Sequence, residues 1–309
     1  VVQSVLGPVL LLAIGAVLYW LMLVVLTART LTHPPRQTYA SAVARGQPGD
    51  PGEFDEPREF EAWTIRSQGR DLSVWDVSGD NADGPVAIVT HGWASGKVNS
   101  IRRLPVLSRL CSRVVFWDMP GHGDSSGRCT LGVQEPDDLL AIIERVGNEK
   151  PIVLCGSSMG SGVAIAAGVC ADNVVQVIVE APYRFPPTPA ANVMRFKRAP
   201  VRFVLGPALA YVGIAACGRW TGPNLEWRTD RPFDRKVLAS RLGCPLLVFH
   251  GDADPTCPIE DGRAIAKASP QGKFVEIPGG NHQNLWKNEA CRAIMEREYT
   301  NAITTLAKP

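Results

Sequence analysis

The stretch LCGSSMGSG, residues 154–162, sets three serines among three glycines. Only Ser158 has glycine both two residues before it and two residues after it. Around Ser157 those positions hold Cys155 and Met159; around Ser161 they hold Met159 and Val163. The glycines have a steric reason. A nucleophile that must stand clear of a sheet sits on a sharp, strained turn between a strand and a helix, and side chains two residues to either side collide there. The flanks supply that context. PIVLC is a short apolar run of strand type, and SGVAIAAGVCA reads as a helix. The spacing therefore selects Ser158 and predicts a strand–elbow–helix unit around it.

Working outward, PVAIVTHG, RVVFWDMPG, VVQVIVEAP, CPLLVFHGD and KFVEIPGG repeat the pattern of PIVLCGSS. Each is a β-branched apolar run closed by Gly, Pro or polar residues, with helix-like segments between most of them. Continuous apolar strands alternating with helices predict a mostly parallel sheet covered on both faces. EFEAWTIRSQ and DLSVWDVSG alternate around Gly69-Arg70 and predict an antiparallel hairpin leading into that sheet. Ligands of such sheets bind beyond the carboxyl ends of the strands, so the residues just after each strand carry the chemistry.

The 309 residues allow a sizeable core, and 45% hydrophobic with 20% charged residues is ordinary for a globular chain. A net charge of +2 gives no broad electrostatic case for nucleic acid. None of the eight cysteines forms a CxxC or a Cys/His metal spacing, which argues against zinc and favours a reduced compartment. No cofactor motif is present.

The N-terminus differs from the rest. Residues 1–28 carry no charge, and VLGPVLLLAIGAVLYWLMLVVL is long enough to cross a hydrocarbon core as a helix. It has neither a basic leader nor an A-x-A cleavage site, so a membrane anchor is expected, although Tyr19 and Trp20 fall in mid-run. Arg29, Arg36 and Arg45 follow, and positive-inside logic then puts the remainder in the cytoplasm. Residues 29–58, rich in Pro, Gly and charge, read as a linker. Residues 59–183 and 244–309 carry the strand–helix rhythm. The interval 184–243 is too long for an ordinary connection. It holds PPTP, a basic cluster (Arg195, Lys197, Arg198, Arg202) and the uncharged run FVLGPALAYVGIAACG, and reads as an inserted helical cap.

HGW (91–93), DMPGHGDSSG (118–127), GSSMG (156–160), HGDADPTCP (250–258) and GGNH (279–282) together resemble the α/β-hydrolase superfamily over residues 59–307. The closest resemblance is to membrane-anchored, monoacylglycerol-lipase-like and serine-aminopeptidase-like members. It implies a triad in the chain order Ser, Asp, His. His282, in a Gly-rich loop after the last strand, fits the base. Asp254 fits the acid, because Gly251, Asp254 and Pro258 match a family pattern; Asp252 is the alternative. The oxyanion hole is expected from the backbone N–H groups of Met159 and Trp93, the latter by likeness of HGW to the family's HGx. Asp118 and His122 read as residues that shape the adjoining loop, and Cys257 as packing. The implied chemistry is that of a serine hydrolase, with a lipid-like acyl ester suggested by the anchor and apolar cap. A peptidase or a non-catalytic binding module are the alternatives.

Overall fold

A computed structural model of the chain describes residues 2–54, 56–196, 201–217 and 233–307. Eight strands form one sheet: β1 (Phe60–Ser67), β2 (Arg70–Ser78), β3 (Val86–Thr90), β4 (Arg113–Trp117), β5 (Ile152–Ser157), β6 (Val174–Glu180), β7 (Leu246–Gly251) and β8 (Gly272–Ile277). Their spatial order is β1-β2-β4-β3-β5-β6-β7-β8, antiparallel from β1 to β4 and parallel from there on. The expected hairpin is β1–β2, and positive φ at Gln68 (48°) and Gly69 (76°) makes its tight turn.

Eleven α-helices lie among the described residues. They are α1 (Val2–Thr32), α2 (Tyr39–Val43), α3 (Lys97–Ser100), α4 (Leu104–Leu110), α5 (Glu135–Val146) and α6 (Met159–Gly168), then α7 (Pro187–Phe196), α8 (Val201–Cys217), α9 (Arg235–Ala239), α10 (Ile259–Ala268) and α11 (Glu289–Thr304). The two-residue period of the strands divides the core. Ile88, Val115 and Leu154 face Leu139 of α5 and Val163 of α6, while Val89, Phe116 and Cys155 face Leu107 of α4 and Tyr299 of α11. Both faces are thus dry, as the unbroken apolar runs require.

Helix α1 continues past Ala28 to Thr32, and the following segment docks on the body. Pro34, Ala42 and Pro51 are buried, and Arg36 Nη1 donates to the carbonyls of Gly123 (2.7 Å) and Ser125 (2.8 Å). The stretch read as a linker is therefore held in place by specific contacts. Among the described residues, one helix is long and apolar enough to cross a membrane, Gly7–Thr32 within α1. Of the interval read as a cap, α7, α8 and α9 are described. Lys197 and Arg198 of its basic cluster lie outside the described residues.

One buried polar cluster ties the carboxyl end of β6 to the turn before α4 and to α11. Glu180 pairs with the Arg103 guanidinium and accepts from Trp286 Nε1 (2.9 Å) and Tyr299 Oη (2.7 Å). Removing one member of such a pair strands the other charge in the interior. Glu180→Ala is therefore expected to lower unfolding free energy by about 3–5 kcal/mol, measured by urea titration, with Glu180→Gln losing less.

Candidate active site

The strand β5 enters a turn at Ser158, whose φ of 52° and ψ of −113° lie in a region that L side chains rarely adopt. Packing enforces this backbone. A Cβ on Gly156 would overlap the carbonyl of Gly160, and one on Gly160 would overlap the carbonyl oxygens of Thr90 and His91 at the end of β3. Both glycines are thus steric necessities. Ser158 N–H donates to Glu180 O (2.8 Å), clamping the turn onto β6. Ser161 Oγ is buried and turned inward, 2.9 Å from Glu180 O. Its hydroxyl supports the turn and faces away from solvent.

Two other strand-end loops meet Ser158. His282, after β8, places Nε2 3.0 Å from Ser158 Oγ and Nδ1 2.7 Å from Asp254 Oδ2. Asp254, after β7, takes the backbone N–H groups of Thr256 (2.8 Å) and Cys257 (2.9 Å) on its other oxygen. Burial alone raises the pKa of this carboxyl. Hydrogen bonds with His250 and His282 and the Cys257 N–H outweigh it and hold Asp254 well below the usual carboxylate range. Asp252, the other acid considered, instead accepts from Gly279 N–H (2.7 Å) and caps the glycine turn before His282.

The Gly92–Trp93 loop after β3 forms the remaining wall. A Cβ on Gly92 would stand 3.2 Å from Ser158 Cβ, so this backbone passes directly over the serine. Met159 opens α6, and its N–H is one of the orphan donors of a helix start. Trp93 Nε1 donates to Leu31 O of α1 (2.9 Å). Two buried histidines hold the loop from behind. His91 Nε2 accepts from Met119 N–H (2.9 Å), and His122 Nε2 accepts from Ala94 N–H (3.2 Å). Burial pushes their pKa values down, to about 4 for His91 and to about 3 for His122, where the neighbouring His91 adds to the effect. Asp118 accepts from Lys97 N–H (2.7 Å) and from the buried Lys97 ammonium (2.7 Å).

Two buried cations were not read from the sequence. Lys97 is a buried cation supporting the Asp118 loop, which GKV in a turn does not announce. Arg235 is fully buried between the rings of Tyr183 (4.3 Å) and Phe233 (4.2 Å), filling the space beside Gly162. Cys257 brings its sulfur within 4.8 Å of the ligand atoms of Asp254 and His282. Burial drives that thiol well above its ordinary pKa, which keeps it protonated and a poor metal ligand.

Residues 87–294 match the model of the alpha/beta hydrolase family. The chain belongs to the alpha/beta hydrolase family. The lysophosphatidylserine lipase ABHD12 of Rattus norvegicus is 25% identical over 261 residues, covering 77% of this chain and 61% of the relative. The chain thus spans about three fifths of the length of that curated relative. Among solved structures, the Pyrococcus furiosus esterase Pf2001 superposes with a TM-score of 0.65 at 17% identity, over 89% of this chain and 98% of that one. A membrane phospholipase A described as a bacterial virulence factor superposes with a TM-score of 0.58 at 18% identity, over 97% and 99%. These two likenesses carry the fold.

In this alpha/beta hydrolase, Ser158 stands where two unlike cavities meet. One, of about 550 Å³, is mainly apolar and is walled by Leu23, Leu26 and Leu31 of α1, Val193 and Met194 of α7, and Tyr183. The other, of about 420 Å³, is the more polar of the two, with a mixed lining rimmed by Arg45, Asn99, Arg102 and Lys287. Trp93, Ser158 and His282 line both.

The neutral, buried His91 and His122 give a pH signature. Each has its folded pKa depressed from an ordinary 6.5, so the unfolded chain binds more protons below that value. Their contribution is whole above about pH 6.5 and fades as pH falls toward 4. Stability measured by urea titration at pH 7.5 and 5.0 is expected to drop more in wild type than in His122→Gln, by about 1–2 kcal/mol.

Proposed function

We propose that this chain is a membrane-bound serine hydrolase that cleaves a lipid-like carboxylic ester through an acyl-enzyme on Ser158. The observation that carries this reading is the unbroken chain Asp254–His282–Ser158, at 2.7 Å and 3.0 Å, ending on a strained serine between an apolar and a polar cavity. Ser158 Oγ attacks the ester carbonyl as His282 Nε2 takes its proton. Asp254, ionised and buried, holds the imidazole by Nδ1–H and stabilises the imidazolium. The Met159 and Trp93 backbone N–H groups receive the oxyanion. His282 then protonates the departing alcohol, and a water activated by the same nitrogen releases the acid and restores the serine.

The acyl chain occupies the apolar cavity and the alcohol portion the polar one. The polar rim favours an anionic head group. Arg102 is half-buried and, among the described residues, has no carboxylate partner; burial first, then Arg103 and Arg45, make its charge costly. A phosphate or carboxylate there relieves that cost. A lysophosphatidylserine lipase among the relatives agrees with this class. The basic residues Arg29, Arg36 and Arg45 after the anchor favour a cytoplasmic catalytic domain.

A fluorophosphonate probe tests the mechanism. The full chain is expected to label, and Ser158→Ala to lose both labelling and, by several orders of magnitude, turnover of p-nitrophenyl esters; a folded wild type that does not label refutes the reading. For the head group, Arg102→Ala is expected to lower kcat/KM for a lysophospholipid by about tenfold or more while changing that for a neutral monoacylglycerol much less. Equal losses on both substrates count against an anion site.

A further inference from the structure

Helix α1 leaves the protein body at a single level. From Gly7 to Met22 every residue is exposed. Beyond that point Val24, Ala28 and Leu31 are buried, at the spacing of one helix face. That face packs along α8, and the two helices run in the same direction. Trp20 Nε1 donates to Phe203 O (2.9 Å) at one end. At the other, the adjacent residues Arg128 and Cys129 donate to Ala215 O (2.8 Å) and Thr32 O (2.9 Å).

Trp20 therefore marks where the exposed apolar helix meets folded protein. Tyr19 and Trp20, out of place for a span centred on the whole run, fit the interfacial belt that aromatic residues prefer. Phe203, against Trp20, is 68% exposed. Arg202 is exposed beside it, as is Arg195 at the end of α7, a short link from the start of α8. Apolar helix, amphipathic aromatics and basic side chains at one level match the headgroup zone of a bilayer.

The apolar cavity starts at this same level. Leu23, one turn past Trp20, is its outermost α1 residue, and Met194, beside Arg195, faces it from α7. Leu26, Thr27 and Leu31 then carry the wall about 12 Å along the helix to Trp93 and Ser158. We propose that α1 is the acyl-binding wall of the site as well as its anchor. A single-chain lipid ester lies with its carbonyl at Ser158, its head group in the polar cavity and its tail directed back along α1 to the bilayer. The tail stays on a continuous apolar path and is never drawn through water. This rests on the serine-hydrolase reading above and adds a membrane-resident, long-chain acyl substrate to it.

The test uses the full chain in phosphatidylcholine vesicles, with p-nitrophenyl acetate and laurate as substrates. Leu26→Trp and Thr27→Trp fill the cavity from the α1 side. Each is expected to lower the laurate-to-acetate ratio of kcat/KM by tenfold or more. Leu12→Trp, on the same helix but clear of the body, keeps the wild-type ratio. An unchanged ratio in both wall variants, with fluorophosphonate labelling of Ser158 intact, overturns the proposal and leaves the hydrolase reading standing. Loss of acetate turnover and labelling in wild type itself overturns the hydrolase reading and this proposal with it. A second arm reads depth. In a Cys170→Ser, Cys217→Ser background, a fluorophore on Phe203→Cys is expected to be quenched by lipids carrying a nitroxide near the headgroup; absence of quenching removes the bilayer from the cavity mouth.

Discussion

Everything at the site depends on how closely the start of α6 approaches the end of β3. Gly160 lies against the carbonyls of Thr90 and His91, with no room for a single carbon between them. That contact fixes the helix axis relative to the sheet and leaves Ser158 no relaxed backbone to fall into. The positive φ is held because the strands around it cannot move apart. Glu180 closes the clamp from the other side. Its carbonyl accepts from Ser158 N–H and lies next to Ser161 Oγ, while its carboxylate is locked by Arg103, Trp286 and Tyr299. A buried ion pair between the end of β6 and the turn before α4 thus supports the strain at a serine that follows the neighbouring strand β5. The geometry spends stability in order to hold one hydroxyl at a fixed point.

The two histidines behind the Gly92–Trp93 loop follow the same logic in reverse. His282 sits at 16% exposure, with its two ring nitrogens 2.7 Å from Asp254 and 3.0 Å from Ser158 Oγ. His91 and His122 lie in full burial, where burial itself keeps them neutral. In the proposed mechanism one imidazole exchanges protons, while the two buried ones accept fixed hydrogen bonds from backbone. The residue type is shared; the burial and the partner decide the role.

The sheet and the elbow were legible in the sequence because each rests on local rules. Six apolar runs named six parallel-type strands, and glycine spacing named Ser158, since both signals need only neighbours in the chain. The pairing of Asp254 with His282 needed the family pattern as well, because Asp252 sits two residues away and offers the same group. Only the fold shows that Asp252 turns toward Gly279. Lys97, Arg235 and the Glu180 cluster were not legible. Apart from Phe233 beside Arg235, the partners named for them lie roughly twenty to more than a hundred residues away, and a buried charge has no local signature. The contacts of residues 29–58, read as a linker, were hidden for a related reason. Pro and Gly mark irregular backbone, and irregular backbone can still be pinned, as Arg36 is by Gly123 and Ser125.

Trp93 is where the anchor and the chemistry become one structure. Its indole bonds the last turns of α1, its ring borders both cavities, and its backbone is the proposed oxyanion donor. A donor aimed at a developing charge is useful only if it is held still before the charge appears. Here the holding comes partly from Leu31, in the helix that the sequence marks as a membrane segment. Cutting the chain after that helix to obtain a soluble domain therefore removes the acceptor of Trp93, the wall of the apolar cavity and the Thr32 carbonyl that receives Cys129 N–H. An anchor that were merely a tether would leave these groups untouched. In this fold the last turns of the candidate membrane helix belong to the core, and they are tied to the nucleophile's surroundings by packing rather than by the slack of a linker.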